Sequence, residues 1–168
     1  MDVGLSLSLP SLTLEQVQIL ALKYGLSWAE GETGQTRLQP LYHLLGGHPY
    51  LVSLALYHLH HGLSLEQILA TATQPSSIYS QFLREMLALV QPHPHLLVAL
   101  QQVFSADRAV RLDTAAAYPL ESMGLIQLEG LLARPACELY RRYFLQFLAE
   151  VSVQAVSVQA VSVQTESS

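Results

Sequence analysis

The side chains of this 168-residue sequence that could do acid–base, metal or nucleophile chemistry are few and clustered. His58, His60 and His61 close an apolar run in YHLHHG, and His93 and His95 alternate with prolines in QPHPH. A metal site needs three or four converging ligands, preferably with a carboxylate or thiolate among them. His58 and His61 can share a helical face, but spacing marks no third ligand. The pattern reads instead as histidines near a helix C-terminus, where the helix dipole tolerates positive charge. No metal site is assigned. Cys137 is the only cysteine, which excludes an intrachain disulfide and a cysteine zinc site. It lies just after Pro135 at the start of a helical pattern, where a thiolate can be stabilised. No histidine accompanies it in sequence, so a small packed residue is the simpler reading.

Phosphate chemistry is equally poorly supplied. The only lysine is Lys23, in ALKYG, and no glycine-rich loop precedes it, so a GxxxxGK[ST] phosphate cradle is absent from these residues. The aspartates Asp2, Asp107 and Asp113 do not end a buried strand, where a magnesium-holding acid belongs. The expectation is a chain that is not an enzyme, has no catalytic residue and turns over no nucleotide by itself.

One stretch raises a different question. In LLGGHPYLVSLALYHL, two glycines, a histidine and a proline at 46 to 49 interrupt two strongly apolar helical runs. The glycines release the backbone from the first helix. Pro49 suits the first turn of the second, because its missing N–H had no partner there anyway; its ring is expected to be exposed. A helix N-terminus offers N–H groups and positive partial charge to an anion or ring. A tight helix–helix corner is the plainer reading of the same residues.

The elements that must position this corner can be read from periodicity and caps. LTLEQV opens a helix with Thr13 as N-cap, Gln16 three residues on and Leu12 able to staple against Val17; Leu14, Val17, Leu20, Ala21 and Tyr24 follow at helical spacing and Gly25 stops it. LSLEQI repeats the device with Ser64 and Gln67, and Leu63 against Ile68. Residues 26 to 37 read as a polar loop, followed by a short helix from about 38 to 45. Further helices are expected from Pro49 to about His61, 64 to 72, about Ser76 to Val90, and about 95 to 104. From 105 onward the pattern reads as a helix pair, a hairpin of Leu125 to Leu128 with Leu131 to Ala133 turning at Glu129-Gly130, and a last helix. The fold class is mainly α, a helical bundle followed by a winged-helix module with one short β-hairpin. The tail VSVQAVSVQAVSVQ has a period of five, which matches neither strand nor helix, and reads as disordered or loosely extended.

Composition sets the remaining bounds. With 51% hydrophobic and 12% charged residues, disorder throughout is excluded. No apolar run approaches the roughly 18 residues that span a bilayer, and residues 1 to 12 hold no Lys or Arg as a leader would. A cytoplasmic protein without a membrane partner is the simplest expectation. The formal charge of −5 gives no long-range pull on nucleic acid. The candidate recognition helix of the winged-helix module, residues 113 to 124, carries Asp113 and Glu121 and no Lys, Arg, Asn or Gln to read a base edge. Residues 96 to 150 hold five arginines against six acids. DNA is therefore not the expected partner.

In the order LTLEQV, YGL, GGHPYLVSLALYHL, LSLEQIL, IYSQFLREML, ESMGLIQLEG and CELYRRYF, the chain resembles the C-terminal half of the bacterial AAA-like ATPase family found in signalling proteins. That family looks related to the signal-transduction ATPases with numerous domains (STAND) and to archaeal-type ATPases, and the resemblance covers about residues 1 to 144. It implies a connector at 1 to 12, with DVGLSLSLP leaving an ATPase core, a helical lid at 13 to 90, a winged helix at 91 to 150, and the repeat tail at 151 to 168. It also implies that Gly46, Gly47, His48 and Pro49 form the corner on the adenine side of a bound ATP or ADP, with Pro49 as base contact. The phosphate loop and magnesium-holding acid have no counterpart and are expected upstream of Met1. Stacking on a lone proline is worth about 1 kcal/mol, so the isolated chain should hold no cofactor detectably. The reading is a non-catalytic regulatory fragment whose partner is a protein, an ATPase core or a signalling effector. The alternatives are a free-standing adaptor that has lost nucleotide binding and, less well supported, a winged-helix DNA regulator.

Overall fold

The structure is a computed structural model that describes residues 11–149. The stretch DVGLSLSLP, expected as a connector, and the VSVQA repeats, expected as a disordered tail, lie outside those residues. The described residues are mainly helical with a small antiparallel sheet. They divide into two compact units: residues up to Arg84 with Cys137–Leu139, and Glu85–Ala136 with residues from Tyr140 onward.

The first unit begins with α1, Leu14–Lys23, started by the reciprocal cap expected of it. Gln16 N–H donates to Thr13 Oγ1 at 3.2 Å, and Thr13 N–H donates to Gln16 Oε1 at 2.8 Å. Val17 and Ala21 are its buried positions.

Residues 26 to 37 are not a loop. Ser27–Ala29 form a 3₁₀ turn and α2 runs over Gly31–Leu45, so the expected short helix begins about seven residues earlier. The polar, glycine-bearing composition misleads because tertiary contacts hold this helix start. Gln18 of α1 donates its side-chain amide to the Ala29 and Gly31 carbonyls at 2.7 and 2.8 Å. Gly34 lies so close to the turn that a Cβ there would sit 2.0 Å from the Ala29 carbonyl carbon and oxygen. The Arg37 guanidinium stacks 4.4 Å from the Trp28 ring, adding a cation–π contact across the same junction. Pro40 sits inside α2 at an exposed position and has no N–H for the Thr36 carbonyl, so the ladder lacks one rung there.

Helix α3, Pro49–His60, is nearly all apolar and buries Leu51, Val52, Ala55, Leu56 and Leu59. Helix α4, Leu65–Thr71, carries the second reciprocal cap, between Ser64 and Gln67. Helix α5 is Ser80–Val90 and starts four residues later than Ser76. The preceding residues turn instead: Ser77 is buried, and its Oγ accepts the Tyr79 N–H at 3.0 Å. Tyr79 is wholly buried and donates its hydroxyl to the Leu51 carbonyl at 3.1 Å, which fixes this turn on α3.

In the second unit, α6 spans Pro94–Ser105 and buries Leu96, Ala99, Leu100, Val103 and Phe104. A two-residue strand β1, Val110–Arg111, and a single helix α7, Thr114–Ser122, replace the expected helix pair. Asp113 caps α7 through Oδ1, which accepts the Ala116 N–H at 3.0 Å. The hairpin is present one residue later than expected at its start, as β2, Ile126–Glu129, and β3, Leu132–Pro135. The sheet order is β1-β3-β2, with Val110 opposite Ala133 and Leu128 opposite Ala133 from the other side. The sheet thus has three strands where one hairpin was expected. Residues 138–149 form α8. Its Phe144 packs at 5.9 Å from Phe104, and Arg141 donates to the Phe104 carbonyl at 3.3 Å. Among the described residues no helix is long and apolar enough to cross a membrane.

Candidate functional site

The corner between α2 and α3 ends one helix and starts the next within four residues. Gly46 takes φ 61° as the α2 C-cap, and its N–H donates to the Tyr42 carbonyl at 2.8 Å. Gly47 continues with φ 74°, a second left-handed residue in a row, which glycine adopts without penalty. The His48 N–H then returns to the Leu45 carbonyl at 3.1 Å. His48 is itself extended and is the N-cap of α3: its Nδ1 accepts the Leu51 N–H at 3.4 Å. Pro49 occupies the first helical turn, as its fixed φ favours.

Accessibility differs from expectation at one position. The Pro49 ring is half-buried rather than exposed, because α3 turns its first residue partly into the protein. Gly47 is buried, Gly46 and His48 are half-buried, and the open part of the corner is Tyr50, 51% exposed. Tyr50 packs against Phe82 with ring centroids 5.2 Å apart, and His48 meets the same ring edge-on at 6.4 Å. Burial pushes the His48 imidazole below its ordinary value and so favours the neutral ring, the form with a lone pair to cap α3.

The structure brings Gly46, Gly47, His48 and Pro49 together as a helix–helix corner, and three other residues that the sequence did not mark shape it. Tyr50 could have been noticed as the residue after Pro49. Phe82 and Leu12 are distant in sequence and carry no local signal. Leu12 matters most: its N–H donates to the Gly47 carbonyl at 2.8 Å. An open groove of about 780 Å³ along α2 reaches the corner, lined by Thr36, Gln39, Pro40, Tyr42, His43 and Gly46.

The other candidates are placed as follows. His58 is half-buried and His60 and His61 are exposed at the end of α3, with the His61 ring 4.4 Å from Tyr57 and 5.0 Å from His60. His93 and His95 are exposed at the start of α6, 6.1 Å apart. Among the described residues no group of three or more His, Cys, Asp or Glu is arranged to hold a metal. Cys137 is buried, and with burial as the larger cause it helps to hold the Tyr79 phenol well above its ordinary range. Lys23 is exposed in the last turn of α1, the end of a helix where backbone carbonyls rather than N–H groups are presented. The outward positions of α7 are Thr114, Ala115, Tyr118, Glu121 and Ser122.

A family model described as an AAA-like domain matches residues 1–146. No curated protein and no solved structure matches the chain.

Proposed function

The chain belongs to the AAA-like domain family, and from that premise we propose that it is the regulatory lid and winged-helix part of an AAA-like signalling ATPase. The observation that carries this reading is the Gly46-Gly47-His48-Pro49 corner. A helix N-terminus, capped by a neutral histidine and flanked by Tyr50, stands at the end of a groove. In a complete ATPase such a corner lies on the adenine side of ATP or ADP. Pro49 and the more exposed Tyr50 are the surfaces for the base, and α3 transmits which nucleotide is present. The order of α6, β1, α7, the β2–β3 hairpin and α8 supports the winged-helix reading of the second unit.

The role is non-catalytic. Lys23 lies at the end of a helix that presents carbonyls, not the N–H groups that cradle a phosphate. The partner is a protein, an ATPase core or an effector. The test is steady-state ATP hydrolysis by the purified chain, with and without Lys23→Ala. No turnover is expected from either protein. Turnover that the substitution abolishes overturns the reading.

A free-standing adaptor is the second reading. Tyr50 and Tyr57 on α3, 51% and 50% exposed and two turns apart, favour it as aromatic anchors for another protein.

A further inference from the structure

The chain entering α1 crosses the corner that joins α2 to α3. Besides the hydrogen bond from Leu12 N–H to the Gly47 carbonyl, a Cβ on Gly47 would lie 2.2 Å from the Leu12 carbonyl oxygen and 3.0 Å from the Leu12 nitrogen. Gly47 therefore has two separate reasons to be glycine. Its φ is left-handed, and the space a side chain would take is filled by the backbone of Leu12.

The two sides of this contact are secured unequally. Helix α1 is started by its own reciprocal cap at Thr13 and Gln16. The start of α3 has no such box: beside the Val52 N–H to the His48 carbonyl at 2.9 Å stand the His48 N–H to Leu45 at 3.1 Å and the Leu51 N–H to His48 Nδ1 at 3.4 Å, the last near the limit of a hydrogen bond. Ser11 is exposed and Leu12 half-buried, so the crossing segment is a surface element held by little apolar area. Such segments open locally at far lower cost than a core.

We propose that Ser11–Leu12 is a releasable strap across the Gly46–Gly47 corner, whose attachment and the start of α3 stabilise each other. Displacing Ser11–Leu12 loosens the first turn of α3. By thermodynamic reciprocity, whatever tightens that turn holds the strap down. The device needs no nucleotide and stands whether or not the corner faces one.

Amide hydrogen exchange on the full chain tests it. Leu12→Pro removes the donor N–H and leaves Gly47 untouched. Gly47→Ala places a methyl group against the Leu12 carbonyl. In the unaltered protein the Leu12 amide should exchange roughly ten-fold more slowly than an unprotected amide, the weight of one net hydrogen bond. In Leu12→Pro the His48 and Leu51 amides should exchange roughly three- to ten-fold faster, on the same scale. The amides of Ile19 to Lys23 in α1 should keep their rates. Gly47→Ala should release Leu12 and His48 together; if that variant does not fold, Leu12→Pro alone decides. An unprotected Leu12 amide in the unaltered protein overturns the proposal. So do corner amides unmoved by Leu12→Pro, or equal acceleration throughout α1 to α3, which marks a general loss of stability.

Discussion

At Gly34 two tendencies of a single residue oppose each other, and magnitudes decide between them. Alanine is favoured over glycine inside a helix by about 1 kcal/mol. Against that, the added methyl would lie 2.0 Å from backbone atoms of Ala29, which cannot swing aside as a side-chain end can. Overpacking costs about 1–3 kcal/mol, and more where the neighbour is backbone that cannot relax, so even after the helix gain Gly34→Ala should be destabilising by about 1–2 kcal/mol or more, read as a lower urea midpoint. An unchanged or raised midpoint means that α2 does not rest on the 3₁₀ turn. His48 yields a prediction in pH. Burial lowers its pKa in the folded chain, so as pH falls the unfolded chain takes up the proton first. Stability is whole above the ordinary value of 6.5, declines as pH drops below it, and levels off once the folded histidine is also protonated. Protonation also takes the Nδ1 lone pair from the Leu51 N–H. His48→Asn keeps a good N-cap without titrating. The difference in melting temperature between His48→Asn and the unaltered protein should therefore grow from pH 7.5 to pH 5, and a constant difference rejects the capping role.

Helices whose start signals are local were legible, and those held by distant groups were not. Thr13 with Gln16 and Ser64 with Gln67 sit three residues apart in each case, and both boxes form. Thr13→Ala and Ser64→Ala should each cost about 1 kcal/mol, and their effects should add because the caps share no partner. A double variant that loses much less than the sum, with an unchanged denaturant slope, goes against two independent caps. By contrast, α2 begins among Gly31, Thr33 and Gly34, residues of poor helix propensity with only Glu32 to favour a first turn, because Gln18 and the Ala29 backbone hold them from outside. Helix α5 starts late for a related reason: Tyr79 is drawn to α3, and its hydroxyl finds the Leu51 carbonyl. That carbonyl is also a helix acceptor within α3, so Tyr79→Phe leaves it bonded and should cost only about 1 kcal/mol. The corner itself was legible because Gly46, Gly47, His48 and Pro49 act on their own backbone. The strap on Gly47 was not, since nothing local in Leu12 marks its distant partner.

At the scale of the whole molecule, periodicity was enough to show that the described residues are mainly helical, with their sheet in the later part. It could not show β1, whose two residues are too short for any alternation and pair only because β3 lies beside them. The same later part raises the question of DNA, and charge placement bears on it more directly than fold. Arg108 lies 3.9 Å from Asp107, Arg134 lies 3.9 Å from Glu129, and Arg141 donates to the Phe104 carbonyl. The outward positions of α7 hold Glu121 and no cation. Phosphate binding gains affinity when Lys and Arg displace the counterions condensed on the nucleic acid, and a guanidinium that already faces a carboxylate is less available to do so. Non-specific binders reach dissociation constants of about 10⁻⁴ to 10⁻⁶ M at physiological salt, so this chain should bind duplex DNA more weakly than about 10⁻⁴ M even at 50 mM salt. Fluorescence anisotropy with a labelled duplex reads this directly. Saturable micromolar binding that weakens steeply with added salt would return the second unit to the nucleic-acid readers. A flat titration keeps DNA out of the account of this unit.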